Sequence, residues 1–98
     1  MNYTLKQIAY FAAAAEAGNV SAAAGRLNVS QPSISAAIAA LEAEFGVTQF
    51  QRRHAKGVDL TPAGQRLFAA ARALLAHAQD FQKAAQGEGE ALTGPLDL

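Results

Sequence analysis

Residues 21 to 45, SAAAGRLNVSQPSISAAIAALEAEF, decide the fold of this 98-residue chain. Two helical patterns flank the tight break Asn28-Val29-Ser30, and the second opens with Gln31, Pro32, Ser33 and Ser35. Ser21 is placed to cap a helix of about seven residues whose Ala24 and Leu27 pack inward. Asn28 suits the left-handed conformation of a tight turn. Ser30 caps the next helix, whose first turn tolerates Pro32. Ile34, Ile38, Leu41 and Phe45 recur at spacings of four, three and four, which is a core-facing stripe, and Gly46 ends it. A helix pair joined by a three- or four-residue turn is the geometry that sets a second helix into the DNA major groove. Gln31, Ser33 and Ser35 lie outside the stripe, at a helix start where free N–H groups and the dipole favour phosphate. Glutamine pairs bidentately with adenine, and serine donates to or accepts from bases and backbone. The plain alternative is a set of capping residues at one corner of an alanine-rich bundle. It accounts for Ser30 and Ser33 and explains Gln31 and Ser35 less well.

Upstream, Thr4 to Ala17 reads as a first helix. Thr4 and Gln7 fit a capping box, Leu5, Ile8, Ala12 and Ala15 make one face beside Phe11, and Gly18 closes it. Downstream, the period changes between Val47 and Leu60. Arg52, Arg53, His54 and Lys56 fall within five residues, Gly57 turns the chain, and Val58 and Leu60 alternate with Asp59. This predicts a two-stranded wing with basic residues near its tip. Such a run is otherwise a solvated loop. Beside a recognition helix, its cations reach phosphates or the adjacent minor groove.

Thr61 and Pro62 start a fourth helix, a capping hydroxyl followed by proline at the first helical position. It is expected to reach about Ala85, before Gly87, Gly89, Gly94 and Pro95 mark a linker. Leu67, Ala71, Leu74, Ala78, Phe81 and Ala85 alternate spacings of four and three, an a/d seam. A helix of about 24 residues spans ~36 Å, longer than the core of a small domain requires. Part of the seam is therefore expected to meet a second copy. The closing Gly94-Pro95-Leu96-Asp97-Leu98 reads as the entry to a strand with nothing to pair with, as at the front of a longer protein.

Composition bounds the remaining possibilities. Apolar residues are 51% of the chain, much of this alanine, and there is no tryptophan. Sparse β-branched residues favour helix throughout. The absence of cysteine removes disulfides and thiolate metal sites. His54 and His77 are too few and too far apart for a zinc site, so neither metal nor cofactor is expected. No apolar run approaches the ~20 residues that span a bilayer, and the N-terminus has no signal-peptide pattern. A cytoplasmic protein without a membrane partner is the expectation. Scattered carboxylates, no nucleophile–base pair and no glycine-rich loop after a strand speak against catalysis. Formal net charge is zero. Its distribution is uneven, because residues 1–75 hold all the lysines and arginines but Lys83 and only four acids, leaving the body mildly basic and the tail acidic.

The assembled residues resemble the LysR-type transcriptional regulators. The resemblance is carried by Leu5-x-x-Ile8-x-x-Phe11, Ala15-x-x-Gly18 and Ala23-Ala24-x-x-Leu27-x-Val29-Ser30-Gln31-Pro32-x-Ile34-Ser35-x-x-Ile38-x-x-Leu41-Glu42. Phe45-Gly46-Val47, Phe50-x-Arg52 and Leu60-Thr61-Pro62-Ala63-Gly64 complete it. It covers residues 4 to 90, and the Ser-Gln-Pro-x-x-Ser element is its specific signal. The fold it implies is mainly α: a winged helix-turn-helix of three helices plus a two-stranded wing over residues 1–61, then a long dimerising linker helix over 62–87. Residues 88–98 would be a hinge toward an absent C-terminal effector-binding domain, the only place for a small-molecule effector. The resemblance implies a homodimer, joined through the linker helix, on a pseudo-palindromic site in double-stranded DNA. By position, Gln31, Pro32, Ser33 and Ser35 would enter the major groove. Arg52, Arg53 and Lys56 would meet backbone or minor groove, and Ser21 a phosphate.

The chain departs from the family pattern at Ala36 and Ala37, where many relatives carry arginine and a polar residue, and at Ala22 and Ala39. Losing an arginine–guanine pair removes about 1–3 kcal/mol of discrimination at one base. The expected site is thus read partly by shape, partly by Ala36 against a thymine methyl, with more reliance on the wing. Two alternatives remain. One is a different winged-helix regulator, such as the molybdate-responsive type, against which the Ser-Gln-Pro element and the uninterrupted linker helix speak. The other is a helical protein-interaction or dimerisation module that never touches DNA.

Overall fold

A computed structural model of the chain describes residues 2–48, 50–52 and 58–91. The order of elements is α1 (Leu5–Ala17), α2 (Val20–Leu27), α3 (Gln31–Phe45), β1 (Phe50–Arg52), β2 (Val58–Leu60) and α4 (Pro62–Ala91). The two strands pair antiparallel, with Phe50 opposite Leu60 and Arg52 opposite Val58. The expected three helices, wing and long helix are all present.

Local cap chemistry sets most boundaries. The Gln7 N–H donates to Thr4 Oγ1 at 3.1 Å, and the Thr4 N–H donates to Gln7 Oε1 at 3.0 Å, the expected capping box. Gly18 and Gly46 close α1 and α3 at φ 69° and 66°, and each N–H returns to a carbonyl four residues back. Between α2 and α3, Asn28 takes φ 59° and ψ 46°. The Val29 N–H reaches the Ala24 carbonyl at 3.0 Å, and the Asn28 N–H reaches that of Gly25 at 3.3 Å. This six-to-one and five-to-two pair is a Schellman closure, with asparagine doing the work of the usual glycine.

The cap of α2 differs from expectation. Asn19, not Ser21, is its N-cap, accepting from the Ala22 N–H at 2.9 Å. Both residue types cap well, and the extended backbone of Asn19 (φ −166°) puts the earlier one in place. Ser21 is left in the first turn with its side chain exposed.

The core has two lobes. Ala13 and Ala14 of α1, Ala23 and Ala24 of α2 and Ile34 of α3 form the first, with Val20, Val29 and Ile38 around it. Four alanines at the crossing let the helices approach closely, so the turn between α2 and α3 is held by packing as well as by its hydrogen bonds. Ile8, Phe11, Leu41 and Ala71 form the second lobe, completed by Tyr3, Leu60, Leu67, Phe68 and Leu75. Phe50 touches both lobes, meeting the Phe11 ring edge-on at 5.6 Å. The wing is thereby fixed to the helices at its base, by Phe50 and by its strand partner Leu60. The ion pair between Arg26 and Glu16 (3.3 Å) is more than half exposed at both ends and contributes little.

Several expected inward faces are only partly buried. Leu5 is 49% exposed, Leu27 36% and Phe45 45%, while Ala23 takes the inward place beside Ala24. Ala13 and Ala14, rather than Ala15, complete the buried face of α1. Each exposed residue lies in the first or last turn of its helix, where a small domain supplies no layer to cover it. Helix α4 also continues through Gly87 and Gly89 to Ala91. Glycine in a helix costs about 1 kcal/mol but does not stop it. Helix α4 makes the molecule long and narrow, 61 by 26 by 19 Å.

Candidate nucleic-acid interface

Ile34, Ala37 and Leu41 bury one side of α3, so the opposite side must face out. Gln31, Pro32, Ser33, Ser35 and Ala36 are all exposed over its first two turns. The exposed face continues through Ala39, Ala40 and Ala43, giving a helix surface with small side chains and no cation. Ser30 caps the helix, its Oγ accepting from the Ser33 N–H at 3.2 Å and sitting 2.8 Å from Ser33 Oγ. The Ser33 hydroxyl is therefore held in the cap, as the plain reading allowed. Ser35 is turned outward beyond it.

Gln31 and Ser21 meet across the turn. Gln31 Nε2 donates to Ser21 Oγ at 3.2 Å, joining the first turn of α2 to the first residue of α3. Nothing in the residue pattern signalled this bond, because the two positions lie ten apart and only the tertiary crossing of the helices brings them together.

Arg52 is the last residue of β1, in register with Val58 of β2. Arg53 and Lys56, with His54, lie outside the described residues. Thr61 anchors the other end of the wing, where β2 passes into α4. Its Oγ1 accepts from the Gly64 N–H at 3.0 Å and donates to the Thr48 carbonyl at 2.6 Å.

The seam of α4 divides into two parts. Ala71 is 6% exposed and Leu67 half-buried, both spent on Ile8, Phe11 and Leu41 of their own chain. Leu74 is 41% exposed, Phe81 76%, and Ala85 is exposed, with Ala78 between them half-buried. Phe68 and Leu75, which the heptad pattern passed over, complete the inward face, Phe68 meeting Phe11 edge-on at 6.5 Å. The adjacent pairs Leu67-Phe68 and Leu74-Leu75 were the available signal, since a core-facing helix carries a wider stripe than a coiled-coil seam. Leu74 also edges an apolar groove lined by Tyr3, Phe45, Leu67 and Ala70.

Among the described residues, no group of three or more His, Asp or Glu could hold a metal, and no helix is long and apolar enough to cross a membrane.

Three helices, a two-stranded wing and a long following helix define a winged helix-turn-helix protein. Residues 5–65 match the model of the family described as bacterial regulatory helix-turn-helix protein, lysR family. The chain is 43% identical to the HTH-type transcriptional regulator TfdS of Cupriavidus pinatubonensis (strain JMP 134 / LMG 1197) over 93 residues, 95% of this chain and 31% of that protein. To the HTH-type transcriptional regulator ClcR of Pseudomonas putida it is 51% identical over 70 residues, 71% of this chain and 24% of that protein. The crystal structure of a CbnR_DBD–DNA complex superposes with a TM-score of 0.80 at 42% identity, covering 88% of this chain and 98% of that one. The chain belongs to the LysR family of bacterial regulatory helix-turn-helix proteins. It spans about a third or less of the length of TfdS and ClcR.

Proposed function

We propose that this chain is the DNA-binding part of a bacterial LysR-type transcriptional regulator, a cytoplasmic, non-enzymatic protein that binds a pseudo-palindromic promoter site as a homodimer. The observation that carries the reading is the exposed start of α3. Gln31, Pro32, Ser33, Ser35 and Ala36 project together from a helix fixed by its partner helix and cap, in a fold that superposes on a chain solved with DNA. In this reading α3 enters the major groove and Gln31 and Ser35 meet base edges. Arg52, Arg53 and Lys56 approach phosphates or the minor groove beside it.

The dimer rests on the outer half of the α4 seam. Leu74, Phe81 and Ala85 are exposed along one helix edge, and the apolar groove beside Leu74 lies where a second helix would pass. Leu67 and Ala71 serve mainly to hold α4 on its own domain. The effector of such a regulator would be bound by a separate, C-terminal domain.

A salt titration of the purified chain on duplex DNA tests the reading. Phosphate contacts release counterions, so log affinity falls steeply and linearly with log salt. No binding to duplex DNA even at low salt would leave a helical dimerisation module instead.

A further inference from the structure

We infer that Ser21 is a positioning residue for Gln31, setting which base the recognition helix accepts rather than holding a phosphate. The inference rests on the DNA-binding reading above. Ser21 is free for the task because Asn19 has taken the cap of α2, leaving the Ser21 hydroxyl exposed and its oxygen accepting from Gln31 Nε2 at 3.2 Å.

The chemistry of the amide makes the bond consequential. A glutamine side chain carries two N–H donors and one carbonyl acceptor. The bond to Ser21 spends one N–H and fixes the plane of the amide. The other N–H and Oε1 remain, adjacent donor and acceptor, which is the pair that adenine N7 and N6 require in the major groove. An exposed glutamine is otherwise rotamer-rich, and ordering it on binding costs conformational entropy. Holding it beforehand lowers that cost for the matching base and denies the amide the freedom to turn over for another. From Pro32 to Ala43 the exposed α3 residues are otherwise serine, proline and alanine, so Gln31 is the one exposed amide of α3.

The two roles of Ser21 separate by measurement. A selection on randomised duplexes with the 98-residue chain first supplies a preferred duplex. Affinities of the wild type, Ser21→Ala, Ser21→Thr, Gln31→Ala and the double variant are then measured on that duplex and its single-base changes, at several salt concentrations. The positioning role predicts that Ser21→Ala lowers discrimination at one base pair per half-site, by about fivefold or more, with the salt slope unchanged. Ser21→Thr keeps the hydroxyl and the discrimination. Ser21→Ala adds nothing to Gln31→Ala, since both remove the same contact. A salt slope reduced by about 0.9 per half-site with discrimination intact would establish the phosphate role and overturn the inference. Additive effects, or no effect of Ser21→Ala, would overturn it as well. Failure of the wild type to prefer any duplex would instead overturn the DNA-binding reading itself.

Discussion

The Thr61 hydroxyl donates to the Thr48 carbonyl at 2.6 Å while accepting the Gly64 N–H at 3.0 Å. One oxygen thus caps α4 and pins it to the segment that follows α3. The start of the long helix and the base of the wing are tied at a single residue, so the wing, α3 and α4 keep a fixed relation.

Replacing this residue should loosen that relation measurably. Thr61→Ala loses the cap and the bond to Thr48, about 1–2 kcal/mol together. In a domain of this size each 1 kcal/mol is about 4–8 °C of Tm. Thermal unfolding followed by circular dichroism should show that drop, with Thr61→Ser close to wild type. Equal Tm values for all three would mean the hydroxyl does not anchor α4.

The two sides of α3 should respond oppositely to change. Ile34 is fully buried between α1 and α2. Ile34→Ala should cost about 2–5 kcal/mol, enough to unfold much of the protein at moderate temperature. Ala36→Ser, on the exposed side two residues away, should stay within about 0.5 kcal/mol. Chemical denaturation of the two variants compares them, and a larger loss for Ala36→Ser would contradict the orientation of the helix.

The positive φ at Asn28 and at Gly46 (59° and 66°) predicts a different pattern. A Cβ at Gly46 would meet nothing within 4 Å, so Gly46→Ala suffers only the left-handed backbone, about 1–2 kcal/mol. Asn28→Gly should be tolerated or slightly stabilising, while Asn28→Val should cost more than Gly46→Ala because of its β-branch. Urea midpoints of the three variants in the reverse order would rule out backbone strain as the cause.

Ala36 is exposed on α3 beside Ser35, at a position where the family resemblance leads to the expectation of a larger side chain. If α3 enters the groove as proposed, Ala36→Arg adds a guanidinium able to pair bidentately with guanine, worth about 1–3 kcal/mol. Binding to a duplex carrying guanine at the facing position should tighten roughly tenfold. Unchanged affinity and unchanged base preference would mean that position 36 does not face the bases.

Phe81 supplies the test of assembly. At 76% exposure it adds almost nothing to the stability of its own chain. Phe81→Glu should therefore leave the helical circular dichroism signal intact and shift the protein from dimer to monomer in sedimentation velocity. A variant that remains dimeric at the same concentration would put the interface elsewhere.

How much of this was legible beforehand follows from the range of each signal. Thr4 with Gln7, Ser30 and Thr61 were readable because such a cap joins a side chain to a backbone group within about three residues, and Asn28 because asparagine tolerates the left-handed backbone of a tight turn. Ser21 was expected to cap α2 and Asn19 does so instead, since both residue types cap well and the backbone entering α2 decides between them. Alanine blurred the core. Ala13, Ala14, Ala23, Ala24 and Ala37 are buried while Ala36, Ala39, Ala40 and Ala43 are exposed, and hydropathy cannot divide them. Part of the α4 seam was expected to meet a second copy, but spacing alone does not say where it divides: Ala71, at a seam position like Phe81, packs with Phe11 while Phe81 stays exposed. The Gln31–Ser21 bond was out of reach for the same reason, as it depends on how two helices cross.

The most direct test of the account is a selection on randomised duplexes with the purified chain at moderate salt. Dimeric, sequence-specific recognition predicts enrichment of a two-fold symmetric motif whose half-sites lie about one helical turn or more apart, as two α3 helices of a dimer require. No enriched motif, together with no binding at low salt, would contradict it.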